Sequence, residues 1–532
     1  MASAEASLLP VLVLLAPVAT ALAVVALRRR ADVRDAALVV GAVVTFLLVA
    51  SLVPAVLAGE APTTELVELL PGASLTLRMD GMALVFALLA AFLWVLASPY
   101  AIGYLRGDDA KNQTRFMAFY ALCLSTAFGV AMAADLLTFF VFYELLTVAT
   151  YPLVTHKGDA KAIAAGRRYL GYLISGGALV LLGTTIVYQQ TGELAFRAGG
   201  FVGDAMSGTL VAVAFLLFAV GFGTKAGLMP LHAWLPSAMV APTPVSALLH
   251  AVAVVKAGVF AFGRLIGFVF GPDVLAGVGI HHVLSAVAAT TIVVASFIAL
   301  RQDHLKRRLA YSTIAHLAYI VLGFSLLSQT AFEGSLLHIV NHGALKITLF
   351  FAAGALHVHL HLDHVSELDG VGRRMPLTMG AFAFASLGLA GLPLMGGFLS
   401  KWHLVLGAYE GGSTWAALVM TGAGLLTAGY LFPIVHRAFF RAAPDRAHAH
   451  AHTHVGHDDG IDDHGASHEG THAADTAHAA VAAPGGWRDA DPRMVVPLVV
   501  TAGLGLALGL GDLFGVYALA DLVATAVFGG AG

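Results

Sequence analysis

Lys225-Ala-Gly-Leu-Met-Pro230-Leu-His-Ala-Trp-Leu-Pro236 interrupts an apolar run that begins near residue 209. A second stretch, Leu389-Ala-Gly-Leu-Pro393-Leu-Met-Gly-Gly-Phe-Leu-Ser-Lys401, interrupts another apolar run in the same way. Proline inside a helix removes a backbone hydrogen bond and frees a carbonyl. In a membrane such a carbonyl is tolerated only where protein or a wet cavity surrounds it. Two matched breaks, each beside a lysine, therefore point to a polar interior inside an apolar protein.

The surrounding chain has the composition this requires. Of its 532 residues, 58% are hydrophobic and 11% charged, with a mean hydropathy of +0.83. An average soluble domain carries roughly 25% charged residues, so a water-covered surface is excluded. One cysteine, Cys123, excludes a disulfide framework and a cysteine-held iron–sulfur centre. The net charge of −3 gives no footprint for nucleic acid, and no Gly-rich phosphate loop stands at a strand–helix junction. No cofactor is expected.

A crossing needs about 20 mostly apolar residues. Fourteen runs qualify, near 8–27, 36–57, 82–104, 116–133, 136–154, 168–188, 209–231, 245–270, 281–300, 309–328, 334–356, 377–399, 414–436 and 494–511. They are numbered spans 1 to 14 below. The expected fold is an all-α polytopic membrane protein. The first run lacks basic residues ahead of it and is followed by Arg28, Arg29 and Arg30, the polarity of a span with its N-terminus outside. With that orientation, 22 of the 29 Lys and Arg residues fall in cytoplasmic segments, and only Arg78, Arg197 and Arg264 in external ones. That asymmetry predicts both termini outside a cell membrane. Residues 512–532, apolar but carrying Asp512 and Asp521, read as an interfacial or subunit-contacting tail.

Aligning Gly227 with Gly391 gives an offset of 164 residues, or five spans. Five is odd, so the second unit is upside down relative to the first. Two inverted five-helix repeats follow, spans 4–8 and 9–13, each containing a broken helix, the arrangement that marks a transport site. The expected organisation is residues 1–115 as N-terminal spans, 116–270 and 281–436 as the two repeats, 437–493 as a cytoplasmic loop, and 494–532 as a final span and tail.

Ionisable side chains recur inside these runs at a cost of at least roughly 2.5 kcal/mol each at mid-membrane. Glu144 lies in span 5, Lys225 in span 7, His250 and Lys256 in span 8, His338, His342 and Lys346 in span 11, and Lys401 in span 12. His338, His342 and Lys346 are successive i, i+4 positions, a stripe about 12 Å long on one helix face. A single histidine of this kind is ordinarily a helix–helix hydrogen bond, and a lysine near a span end can snorkel. Eight groups across five spans instead predict a track for protons, since each hop covers about one hydrogen bond. Burial disfavours an ammonium and a nearby carboxylate favours it, so a Glu–Lys pair suits a switch.

These residues resemble the antiporter-like membrane subunits shared by respiratory complex I, Mrp-type multisubunit Na⁺/H⁺ antiporters and membrane-bound hydrogenases. The likeness runs over about 75–440. It includes Asp80-Gly with Tyr100-Ala-Ile-Gly-Tyr104, Tyr143-Glu144-Leu, Lys225 with Pro230-Leu-His-Ala-Trp-Leu-Pro236, and Ala241-Pro-Thr-Pro-Val-Ser-Ala-Leu-Leu-His250. It continues through Asp303-His-Leu-Lys306-Arg-Arg-Leu-Ala-Tyr311-Ser-Thr and the span-11 stripe to Gly391-Leu-Pro393 and Lys401. The resemblance implies that Glu144 pairs with Lys225, that Lys256 sits at mid-channel, and that Lys401 ends the path. Met375-Pro-Leu-Thr-Met-Gly and Phe398-Leu-Ser-Lys401-Trp are most similar to the Mrp D-type subunit. Tyr100–Tyr104 is equally at home in the L- and M-type subunits of complex I.

The function expected is proton translocation in a multisubunit Na⁺/H⁺ antiporter, with other membrane subunits, protons, Na⁺ and the lipid bilayer as partners. The alternatives are a pumping subunit of a complex I-like NADH–quinone oxidoreductase or hydrogenase, and a structural membrane anchor. Whether an enzyme complex is involved stays open at this point. One stretch departs from the family pattern: residues 445–478 hold nine histidines among seven Asp or Glu. His448, His450, His452 and His454 alternate as in a Zn²⁺ trap, but the composition reads better as a solvated cytoplasmic loop.

Overall fold

A computed structural model describes residues 6–70, 73–443 and 489–529. The histidine-rich stretch, with its four candidate metal ligands, lies outside the described residues. Among the described residues, twelve helices are long and apolar enough to cross a membrane. They coincide with spans 1 to 9, 11, 13 and 14. Span 10 is the helix Leu305–Ser325, whose first turn carries Lys306, Arg307 and Arg308. Span 12 is two fifteen-residue helices, Pro376–Ala390 and Gly396–Glu410, with the break between them. The count of fourteen therefore rests on these two spans, while the other twelve stand on length and hydropathy alone.

Burial sorts the spans into rings. Thr243–Phe270 (span 8) and Gln329–Leu360 (span 11) are buried along their whole apolar windows, whereas Leu9–Ala26 and Ala31–Leu57 are buried over only 33% and 28% of theirs. Spans 8 and 11 form the axis of the protein, and spans 1 and 2 leave most of their surface uncovered by the rest of the chain. The axis is also where the ionisable side chains concentrate.

Both breaks announced by the sequence use one backbone device. Helix Gly208–Ala226 ends at Gly227 with φ 72°, and helix Pro376–Ala390 ends at Gly391 with φ 95°. A Cβ is disfavoured in this left-handed region, so glycine is the residue that stops the helix there. A third interruption has no such signal. Span 8 is split between Thr243–Ala251 and Val254–Arg264, with Ala253 at φ −93°, ψ −94°. No glycine or proline stands between 251 and 254. The split lies where Gly343 of span 11 approaches the Ala251 carbonyl; a Cβ there would be 3.0 Å from that oxygen.

One further element departs from the sequence-based picture. Thr63–Leu70 and Ala73–Arg78 form a two-stranded antiparallel hairpin, a small addition to an otherwise all-helical fold. The Ala134 amide bonds the Thr76 carbonyl, so the hairpin rests on the link between spans 4 and 5. The tail forms the helix Val516–Phe528, which buries Leu519, Ala520, Val523, Ala524 and Val527. Its Phe528 and Thr525 meet Phe332 and Gln329 at the start of span 11, so the tail packs on its own chain. On the same side, Arg264 is 2% exposed and bonds both oxygens of Asp80 at 2.7 and 2.8 Å. That carboxylate also caps the span-3 helix through the Ala83 amide.

Candidate functional site

The groups singled out from the sequence fall into two clusters. In the first, helix Leu136–Val154 (span 5) brings Glu144 beside helix Ala160–Thr191 (span 6). Gly177 of span 6 makes room for it, since a Cβ there would collide with the carboxylate. Among the described residues, Glu144 Oε1 is buried with no hydrogen-bond partner. Lys225, 1% exposed, reaches the same helix one step away. Its amine donates to the Tyr143 carbonyl at 2.5 Å and to Thr147 Oγ1 at 2.9 Å, and lies 3.3 Å from the centroid of the Tyr143 ring. The Lys225 amine of span 7 thus binds the helix that carries Glu144 without touching the carboxylate: no ion pair joins them among the described residues. Trp234, just beyond the break, fastens the helix end beside the lysine: its Nε1 donates 2.8 Å to the Thr224 carbonyl, which also accepts the Gly227 amide at 3.2 Å.

The second cluster is a line with one step, His342 to His316, bridged by ring contact and not by a hydrogen bond; Nε2 of each of these two rings has no partner among the described residues. Lys256, fully buried, donates to the Ile339 carbonyl at 2.8 Å and sits 3.0 Å from His342 Nδ1. The His342 ring lies 5.3 Å, centroid to centroid, from that of His316. His316 Nδ1 is 3.1 Å from His338 Nε2, and His338 Nδ1 is 2.9 Å from Ser400 Oγ. Each of these side chains is fully buried. Spans 8, 10, 11 and 12 therefore contribute to one line of amine, imidazoles and hydroxyl. No carboxylate belongs to it among the described residues.

His316 is absent from the groups expected on sequence. It stands in Tyr311-Ser-Thr-Ile-Ala-His316 of span 10, and the criterion that selected His338 would have selected it too. It is the ring that joins His342 to His338, whose own centroids are 6.0 Å apart. Neighbouring imidazoles at these distances suit proton exchange, because each ring carries one donor and one acceptor when neutral.

The remaining candidates lie beside this line. Lys346 donates at 2.6 Å to Ser312, which donates at 3.0 Å to the Tyr430 hydroxyl, itself 3.1 Å from Thr427. Lys346 thus branches toward span 13 and does not touch His342. His250 stacks on Phe350 at 4.6 Å, and neither of its ring nitrogens has a partner among the described residues. Lys401, partly exposed, donates to the Leu389 and Ala390 carbonyls at 2.6 and 3.4 Å, across the span-12 break, with its amine 5.3 Å from the Tyr319 centroid. Among the described residues, no group of three or more His, Cys, Asp or Glu is placed to hold a metal ion.

The family described as NADH:quinone oxidoreductase/Mrp antiporter, transmembrane, matches residues 133–427, which contain both clusters whole. The chain belongs to this family. It is an antiporter-like, proton-translocating membrane protein of the Mrp and complex I superfamily. It is 35% identical to NADH-quinone oxidoreductase subunit N of Desulforudis audaxviator, over 70% of this chain and 74% of that relative. It is 34% identical to the A/B component of a probable K⁺/H⁺ antiporter of Rhizobium meliloti, over 76% of this chain but 40% of that longer protein. Its fold is similar to a chain of the Mrp complex from Dietzia sp., with a TM-score of 0.82 at 23% identity, covering 98% of this chain and 97% of that one. Respiratory complex I from Thermus thermophilus supplies another similar chain, at TM-score 0.76 and 22% identity over 97% and 99% of the two chains.

Proposed function

We propose that this protein moves protons along the buried line from Lys256 through His342, His316 and His338 to Ser400, and that Glu144 with Lys225 gates it. The observation that carries this reading is the line itself: titratable side chains from separate helices meet in a membrane interior where each alone is costly. On this reading Glu144 and Lys225 are a separated charge pair. The carboxylate has an unpartnered oxygen, and the amine is held by a carbonyl and a hydroxyl that it can leave. Movement of either group toward the other would change the field felt at Lys256. Close packing couples the two sites: Gly258 of span 8 admits the backbone of Lys225 and Ala226 so tightly that a Cβ there would collide. Ser246 and His250, four residues apart on one face, have buried polar atoms without a partner among the described residues. Groups of this kind are satisfied by water in proteins, which makes this face the way in toward Lys256. The two inverted repeats are proposed as the frame of the two clusters.

The host complex on this reading is a monovalent cation/H⁺ antiporter of the cell membrane, with Na⁺ as the cation, other membrane subunits as partners, and both termini outside. The fold likeness to a chain of the Mrp complex supports it. A redox-driven pump is the second reading, favoured by the 35% identity to a quinone oxidoreductase component. Purifying the intact complex separates the two: small hydrophobic partners alone support the antiporter, and flavin or iron–sulfur partners support the pump. Lys225→Ala and Lys256→Ala, assayed for proton movement in membrane vesicles, test the transport role itself. Each is expected to lower the rate by at least about a hundredfold, the scale of a lost proton-transfer group. Wild-type rates in both would leave only a structural anchor.

A further inference from the structure

The line of imidazoles ends at Ser400, and Lys401, the side chain expected to carry protons onward, makes no hydrogen bond to it: its amine lies over the Tyr319 ring that packs on His316 and His338. Its amine is engaged by two carbonyls at the break. What leads outward from Ser400 is the seam between helices Gln329–Leu360 and Gly396–Glu410. Their backbones run antiparallel in close contact: a Cβ on Gly334 would lie 2.8 Å from the Leu404 amide nitrogen, and one on Gly407 would collide with Ala331. Side chains meet in register along this seam. His338 faces Ser400 at 2.9 Å, and one turn further out Glu333 faces His403, with Oε1 and Nε2 3.7 Å apart.

The second pair has the chemistry of a proton outlet. His403 Nδ1 lies 2.9 Å from the Leu399 carbonyl and so donates there, which leaves Nε2 of the neutral ring as an acceptor aimed at Glu333. Side-chain exposures of 26% for His403 and 19% for Glu333 put the pair at the edge of the buried interior. The step from His338 to Glu333 is five residues, about 7.5 Å along the helix, a gap that water bridges. The tail helix Val516–Phe528 carries the exposed Asp521, near enough for its charge to act on Glu333. The same helix is fastened there by the Gln329–Thr525 hydrogen bond of 3.2 Å.

We infer that protons leaving the histidine line reach the face carrying Asp521 along this seam, with His403 and Glu333 as the last relay pair. This rests on the transport reading above. His403 Nε2 takes the arriving proton, the imidazolium hands it to the Glu333 carboxylate, and the carboxylic acid releases it to water beside Asp521. No bond other than N–H and O–H is made or broken. The positive-inside distribution assigns this face to the outside.

The test follows proton movement by the assembled complex in membrane vesicles with a pH-sensitive dye. Glu333→Gln and His403→Asn should each slow it at least about tenfold and remove its dependence on the pH of the outer medium. Glu333→Asp, which keeps the carboxyl, should restore most of the rate. Glu193→Gln, altering a surface carboxylate paired with Arg197, should leave it unchanged. If Glu333→Gln does not assemble, His403→Asn and Glu333→Asp carry the same comparison. Wild-type rate and pH profile in Glu333→Gln or His403→Asn, alongside a loss in Lys256→Ala, would overturn the seam and spare the transport reading. Wild-type rate in Lys256→Ala as well would remove the transport reading itself.

Discussion

The two clusters solve one problem in opposite ways. Around the span-7 break, the Glu144 carboxylate of span 5 and the Lys225 amine of span 7 come to the same stretch of span 5 without meeting, and each is held by neutral groups or by none. In the line that ends beside the span-12 break, one amine and three imidazoles follow one another, His342 and His316 by ring contact alone, and no acid accompanies them among the described residues. A separated pair of opposite charges stores a choice, because either member can move. A contiguous row of rings has little to choose and conducts. On the proposed reading, the difference makes the Glu144–Lys225 region the one that decides and the Lys256–Ser400 region the one that transmits.

The widest expected gap between the regions comes from substituting one member of each. Glu144→Gln removes the charge on which the first region depends, while His316→Asn leaves the switch intact and opens the row. Both should slow proton movement by roughly a hundredfold or more, yet only His316→Asn should do so with the same fractional loss at every driving force. Dye-based rates measured across a series of imposed gradients check this. Identical curves for the two variants would mean that the regions are one device.

A smaller effect sharpens the comparison at the backbone. Gly227→Ala and Gly391→Ala place a Cβ in the left-handed region, at a cost of roughly 1–2 kcal/mol each. Gly391 has the Lys401 side chain 3.2 Å from such a Cβ, whereas Gly227 has nothing nearer than 3.6 Å. The Gly391 variant should therefore lose more thermal stability in detergent than the Gly227 variant. The reverse order would show that strain at the span-12 break is relieved elsewhere.

The smallest expected effect lies outside both regions and serves as their reference. His357, at the end of span 11, hydrogen-bonds Asp363 at 3.0 Å, and this contact holds the carboxyl down at about 2. The unfolded value is about 3.9, so the contact stabilises the folded chain above pH about 4 and loses that effect as pH falls through about 2. His357→Asn should destabilise the folded chain at pH 6 by under about 1 kcal/mol for a partly exposed pair, read as a slightly lower melting temperature, and the two proteins should converge near pH 2. Proton movement should not change at neutral pH.

What could be read from sequence was whatever chemistry forbids elsewhere. Glycine before proline in an apolar run announces a helix end, and both announced breaks are present. Charged residues at mid-span are costly, so Glu144, Lys225, Lys256 and the span-11 stripe stood out. The split at Val252–Ala253 was silent because it arises from a neighbour's approach and needs no special residue. Pairings were equally silent. That Lys225 would bind the Tyr143 carbonyl, that Ser400 would receive His338, and that His316 would complete the row all depend on which helix faces which. Spacing along one chain does not encode that.

The amine of Lys401 fastens the two halves of its own bent helix by gripping the carbonyls that the bend set free. It is the pin of an elbow as well as a charge. Withdrawing it releases the joint, so electrical work and mechanical work at residues 391–395 are a single act. At the other elbow the grip of Lys225 is on a different helix, and there bending and charge displacement can be uncoupled.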